Sequence, residues 1–193
     1  MARKRNDFRP DSDGTGLLSK LYLTRKQRQA FLKWLLYGLS CLVLLILQDV
    51  LLTRFPLFGA VADPVACAIV LICLLQGAES GGLFALVASA LYVFSGSAPG
   101  PYTIVFLTVY SVLAAIFRQA YLRKGVISLC LCAFLAMMAY EMSLFGIGLF
   151  LKFTVSQWFP SFLLSGVDSV AVLPLLYPIM RSIGNIGGEI WKD

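Results

Sequence analysis

Between about residue 30 and residue 180 the chain returns again and again to long apolar stretches, separated by short polar connections. A membrane-spanning helix takes about 20 predominantly apolar residues, with a range of about 17–25. Six stretches approach that length: about 30–48, 61–76, 81–95, 101–117, 125–151 and 158–180. Composition agrees with this pattern. The chain is 59% hydrophobic and 13% charged, where a soluble domain averages about 45–50% and about 25%. A single soluble core in 193 residues cannot hide so much apolar surface. The expected fold is therefore all-α: a polytopic helical membrane protein with about six transmembrane helices. Residues 1–29 form a basic tail, 30–181 the membrane domain and 182–193 a second tail.

Charge then orients the spans. The net charge is +6, but its distribution says more than its sum. Nine of the sixteen basic residues precede residue 34, among them Arg3, Lys4, Arg5, Arg9, Arg28 and Lys33. With the N-terminus inside, the inner segments gain Arg118, Arg123, Lys124, Arg181 and Lys192, leaving only Arg54 and Lys152 outside. That asymmetry predicts both termini in the cytoplasm. It predicts the same sidedness if the short second and third stretches do not cross, so charge does not decide between four and six spans. Those two stretches, joined at "GAES", read as a tight helical hairpin. The basic tail is a topology signal that also meets anionic lipid; no nucleic-acid partner is expected. Leu17, Leu18, Leu21 and Tyr22 fit helical spacing, either as a surface amphipathic helix or as an extension of the first span. No cleavable signal peptide is expected, because the first long apolar run begins only near residue 30.

Several chemistries are disfavoured. There is no histidine, which removes Ser–His and Cys–His nucleophile pairs and the commonest metal ligand. Cys41, Cys67, Cys73, Cys130 and Cys132 all lie inside apolar runs without C-x-x-C spacing, and read as small buried hydrophobes. No phosphate-binding loop, dinucleotide fingerprint or zinc spacing occurs. No catalytic residue, metal site or cofactor is expected.

Acids and small residues are what remain. Asp49 and Asp63 bracket the outer connection "LLILQDVLLTRFPLFGAVADPVACAIVL". Asp63 precedes Pro64, a pattern that suits a helix N-cap. Glu79 lies in the short inner turn, where water reaches it. Glu141 and Asp168 lie deep in the fifth and sixth stretches. Burying a lone carboxylate in hydrocarbon is expensive. Two readings stand side by side: a proton or cation relay, or structural acids satisfied by Ser143, Ser169 or a tyrosine. Gly81, Ala85 and Ser89 repeat at four-residue spacing, which lets helices approach closely. Internal packing explains them, and so does a partner surface.

Residues 47 to about 124 resemble the MreD family of rod shape-determining membrane proteins. The matching elements are "LQDVLLTRFPLFG", the span closed by "LLQGAESGGLFALVASALYVFSGSAPGPYTI", and the fourth span ending at "FRQAYLRKG". Two positions depart from that family's usual pattern. Asp63-Pro64 replaces a Pro-Asp pair, and Tyr92 stands where an acid is often found. The resemblance implies a non-enzymatic scaffold in the bacterial plasma membrane. It would dock an MreC-like single-span protein, an MreB-like actin homologue and the wall-synthesis enzymes. It marks Gln48, Arg54, Pro56, Gly59 and Asp63 as docking candidates, with Gly81, Ala85 and Ser89 as the small-residue groove. That fold is also similar to the substrate-binding subunits of energy-coupling factor vitamin transporters, which supplies an alternative: a solute-binding membrane subunit. Such subunits tend to carry an Ala-x-x-x-Ala patch on an early helix, whereas the first span here is mostly large aliphatics.

Overall fold

A computed structural model of the chain describes residues 25–52, 62–122 and 125–186. Among these residues every regular element is helical. Helix α1 covers Arg25–Leu47 and runs into a π-helical turn at Gln48–Leu52. Helices α2 (Pro64–Gln76) and α3 (Ala78–Phe94) follow. Then come α4 (Thr103–Tyr121) and α5 (Val126–Phe150). A 3-10 turn at Ser156–Trp158 leads into α6 (Phe159–Ala171) and α7 (Leu173–Gly184).

Three helical segments, Gln27–Val50, Thr103–Tyr121 and Val126–Phe150, are long and apolar enough to cross a membrane. The pair α6–α7 makes a fourth when its 45° bend is counted within one span. The bend has a cause in the sequence. Pro174 has no N–H to donate to the preceding turn, and its ring opposes the carbonyl four residues earlier, so the helix breaks at Val172. α5 continues unbroken through Gly146 and Gly148 to Phe150.

The short pair is different in kind. At about 1.5 Å per residue, the 13 residues of α2 reach about 20 Å, against about 30 Å of hydrocarbon. Yet α2 is the centre of the bundle. Every residue from Pro64 to Leu75 is buried, and the helix packs against α1, α3, α4, α5, α6 and α7. A helix apolar all round is one with no exposed face, and "PVACAIVLICLL" is such a sequence.

The surrounding helices each turn one stripe towards it. On α1 the buried positions are Lys33, Tyr37 and Cys41, and Gln48 in the π-helical turn continues them. On α4 they are Thr103, Leu107, Ser111 and Ala115, at the four-residue spacing of one helix face. The opposite faces carry exposed Phe31, Leu35, Leu39 and Leu42 on α1, and Val105, Val109, Leu113 and Ile116 on α4. Those are the faces that meet lipid.

The hairpin turn depends on two glycines. Gly77 adopts φ +91°, a left-handed backbone that glycine takes without strain. Gly81 lies so close to α2 that an added Cβ would stand 2.6 Å from the Cys73 Cα. The neighbouring atom is backbone and has no side chain to swing aside. Ala85 and Ser89 continue the same buried face, and Ser89 Oγ lies 3.2 Å from Thr108 Oγ1 on α4. The small-residue series therefore packs inside the bundle. Of the two readings of Gly81, Ala85 and Ser89, their burial fits internal packing.

Gly81→Val is expected to lower the midpoint of thermal unfolding in mild detergent, at a cost of about 1–3 kcal/mol for overpacking. Gly38→Ala is the matched control: an added Cβ meets nothing within 4 Å at that position. It should leave the midpoint unchanged or raise it slightly.

Candidate functional site

The N-terminal end of α2 requires polar partners. Its first amides have no acceptor within the helix, and in a dry interior an unpaired amide is costly. Asp63 meets that need: its Oδ1 accepts from the Ala66 N–H at 2.9 Å, and Pro64 sits in the first turn. The N-cap expectation for Asp63 holds. The negative carboxylate also complements the positive end of the helix dipole.

Asp63 in turn anchors a longer chain of hydrogen bonds. Tyr92 on α3 donates its hydroxyl to Asp63 Oδ2 at 2.9 Å. Gln48, at the end of α1, donates Nε2 to the Tyr92 oxygen at 3.1 Å. The Asp63 N–H donates to Ser169 Oγ at 2.8 Å, and Ser169 donates to the Ser165 carbonyl at 2.8 Å. Ser165 Oγ donates to Glu141 Oε1 at 3.1 Å. Residues from five separate elements, spread over more than a hundred positions, thus meet in one network.

This network lies at a cleft of about 390 Å³ between the ends of α1, α2 and α3 and the facing parts of α5 and α6. Gln48, Asp63, Tyr92, Glu141 and Ser165 line it, with Leu144, Trp158 and Phe162 as apolar walls. Pro99, Trp158 and Ser161 are exposed at its rim. Asp49 is also exposed and accepts from Ser97 Oγ at 2.9 Å, and Ser97 reaches the same cleft. No Lys or Arg among the described residues lines it.

The opposite end of α2 has the opposite charge. Arg118 donates Nη1 to the Leu74 carbonyl at 2.8 Å. Lys33, only 4% exposed, donates to Gln76 Oε1 at 2.9 Å and lies 5.4 Å from the Trp34 ring centroid. Gln76 Nε2 donates to the Tyr37 hydroxyl at 2.8 Å, and Tyr37 donates to the Met180 carbonyl at 3.1 Å. Cations at a helix C-terminus complement its dipole.

The sequence candidates fall into three groups. Gln48, Asp63 and Glu141 come together at the cleft. Asp168 does not line it; it is 1% exposed, and its Oδ2 has no partner among the described residues. Arg54, Pro56 and Gly59 lie outside the described residues, as do Leu17, Leu18, Leu21 and Tyr22 and most of both tails. The expected partners of Glu141 also change. Ser143 pairs with Tyr110 at 2.6 Å and Ser169 with the Asp63 backbone, while Ser165 satisfies Glu141. Asp63 shares its site with Glu141, 78 positions away, and not with Asp49. Sequence reasoning also counted Lys33 only as a topology charge, and missed Trp158 as a cleft wall.

Among the described residues no group of three His, Cys, Asp or Glu side chains is placed to hold a metal ion. Comparison with known protein families, curated proteins and solved structures finds no match to this chain. The family resemblance and the likeness to transporter subunits therefore rest on the sequence alone.

The network makes a direct prediction. Tyr92→Phe removes a donor to Asp63 and an acceptor for Gln48, leaving both buried and short of a partner. The expected destabilisation is about 1–3 kcal/mol, read as a lower unfolding midpoint in detergent. An unchanged midpoint would show that the chain of bonds contributes nothing.

Proposed function

We propose that this protein is a non-enzymatic membrane scaffold of the bacterial cell-elongation machinery, maintaining cell shape by docking wall-synthesis partners. The observation that carries the reading joins sequence to structure. Gln48, Asp63 and Tyr92 all lie in the segment that resembles the MreD family, and they form one hydrogen-bonded chain. Within that segment these three residues meet at the N-terminal end of the buried helix α2. In this reading the chain crosses the plasma membrane six times with both termini in the cytoplasm. The charge asymmetry supports that orientation, and the α2–α3 hairpin supplies the short second and third crossings. The cleft then faces outwards. A single-span MreC-like protein docks beside the outer rim, near the connection that carries Arg54, Pro56 and Gly59. The basic inner face meets the MreB-like actin homologue and anionic lipid.

A second reading has one observation in its favour. A cleft of about 390 Å³ with a mostly apolar lining and a few polar side chains lies within the size range of small-molecule sites, about 300–1,000 Å³. A solute-binding subunit of an energy-coupling factor type transporter would need such a site. The exposed rim residues favour the scaffold, since a transport site encloses its solute.

Affinity capture of the tagged full-length chain in mild detergent separates the two. The scaffold reading predicts recovery of a single-span wall-synthesis protein. Recovery of an ATPase-coupled transport module with a bound vitamin would overturn it and support the second reading. Replacing Asp168 by Asn supplies an independent check. If Asp168 is structural, the variant loses abundance or thermal stability; normal abundance with lost cell-shape function would assign it a working role.

A further inference from the structure

The outer face of the bundle is hollowed between α4 and α5 by a groove of about 410 Å³ that shares no lining residue with the cleft. Buried Cys132 and Ala136 on α5 form its floor, and exposed Ile116, Phe117 and Leu135 its rim. On α4 the lining runs from Tyr110 to Tyr121, about 17 Å at about 1.5 Å per residue. That is close to one leaflet of the hydrocarbon core, half of about 30 Å. The groove therefore serves one leaflet, at the end of the pair where α4 is joined to α5.

That end is positively charged. Arg118 lies four residues after Ala114 and three before Tyr121, on the same face of α4, and both of those line the groove. It is half-buried and gives one N–H to the Leu74 carbonyl, and its charge acts on Cys132 in the groove floor. A guanidinium carries five N–H donors, and no carboxylate among the described residues pairs with Arg118. The sequence joining α4 to α5 adds Arg123 and Lys124, and no acid occurs from Thr103 until Glu141. Tyr121 is exposed at the end of α4, its ring 5.3 Å from that of Phe117. Amphipathic aromatic rings of this kind sit at the level of lipid headgroups.

These features select an occupant. A soluble anion leaves the apolar groove unfilled. A zwitterionic lipid brings no net charge to Arg118. A partner helix is a cylinder about 10–12 Å wide that runs the full depth of the membrane, whereas the groove covers one leaflet. An apolar chain one leaflet long, ending in a negative phosphate, answers both the groove and the charge. Basic pockets between membrane helices are known to take such headgroups.

We propose that the α4–α5 groove holds an acyl chain of one anionic phospholipid, with the lipid phosphate bound by Arg118. Arg123 and Lys124 add positive charge at the same end. This contact is distinct from the lipid contact of the N-terminal tail, because it needs a shaped groove as well as charge. It rests on the membrane-spanning reading of α4 and α5 and not on the docking role, so its failure leaves partner capture unaffected.

Native mass spectrometry of the delipidated full-length chain in detergent tests it with three probes: dipalmitoyl phosphatidylglycerol, dipalmitoyl phosphatidylcholine and sn-glycerol 3-phosphate. Phosphatidylglycerol should bind at least about fivefold more tightly than phosphatidylcholine, as expected for at least one cation at the membrane surface. Glycerol 3-phosphate should not displace it. Arg118→Gln should remove about fivefold of the preference and Arg118→Lys should keep most of it. Since Arg118 also caps α2, its loss puts folding at risk, and Ala114→Leu is the second variant. Ala114 lines the groove and is half-buried; the larger side chain should weaken both lipids by about fivefold or more. Equal affinity for the two lipids, displacement by glycerol 3-phosphate, or wild-type lipid binding in Ala114→Leu would each overturn the proposal. So would a second copy or another chain that is lost from the complex in Ala114→Leu while phosphatidylglycerol is retained, since the groove would then hold a helix.

Discussion

Everything in this bundle is arranged around a 13-residue helix that has no surface of its own. In a membrane, burying α2 gains little from leaving water, since lipid tails are as apolar as Leu71 or Ile72. Close packing and satisfied polar groups must hold it instead. Gly81 supplies the first, with its Cα side pressed onto the Cys73 backbone. Asp63 and Arg118 supply the second, one at each end. An unsatisfied helix end inside hydrocarbon costs several kcal/mol per group, so these end contacts decide whether so short a helix can sit at the centre.

The dipole of α2 thereby organises charge across the molecule. Its N-terminal end gathers Asp63, Glu141, Gln48 and Tyr92; its C-terminal end gathers Arg118, Lys33, Gln76 and Tyr37. The acidic cluster borders a cleft, whereas in the basic cluster Lys33 lies beside the Trp34 ring and Gln76 bonds Tyr37.

Much of this was legible in the sequence where periodicity or local chemistry decides it. The apolar stretches at about 101–117 and 125–151 matched α4 and α5 closely, because long apolar helices need no tertiary context. The Asp63-Pro64 cap was legible because its partner lies only three residues on. The short α2–α3 hairpin was also visible at Gly77. The central position of α2 was not, since an all-apolar stretch reads alike whether lipid or protein surrounds it. The Asp63–Glu141 cluster was not either, because no local pattern joins positions 78 residues apart. Tyr92 stood out only as a departure from a family pattern, yet its hydroxyl links Gln48 to Asp63. Gly81, Ala85 and Ser89 showed that helices approach there, but spacing alone does not say which helix comes.

The central claim is that α2 and α3 form two short crossings, with the cleft open on the face opposite the basic segments. Cysteine labelling with a membrane-impermeant maleimide tests it most directly. Ser161 at the cleft rim and Ser80 at the α2–α3 turn are both exposed, so each accepts a reporter cysteine without disturbing the interior. The account predicts that Ser161→Cys is modified from outside in intact cells, and that Ser80→Cys is modified only after the membrane is opened. Modification of Ser80→Cys from outside, or protection of Ser161→Cys until lysis, would contradict it.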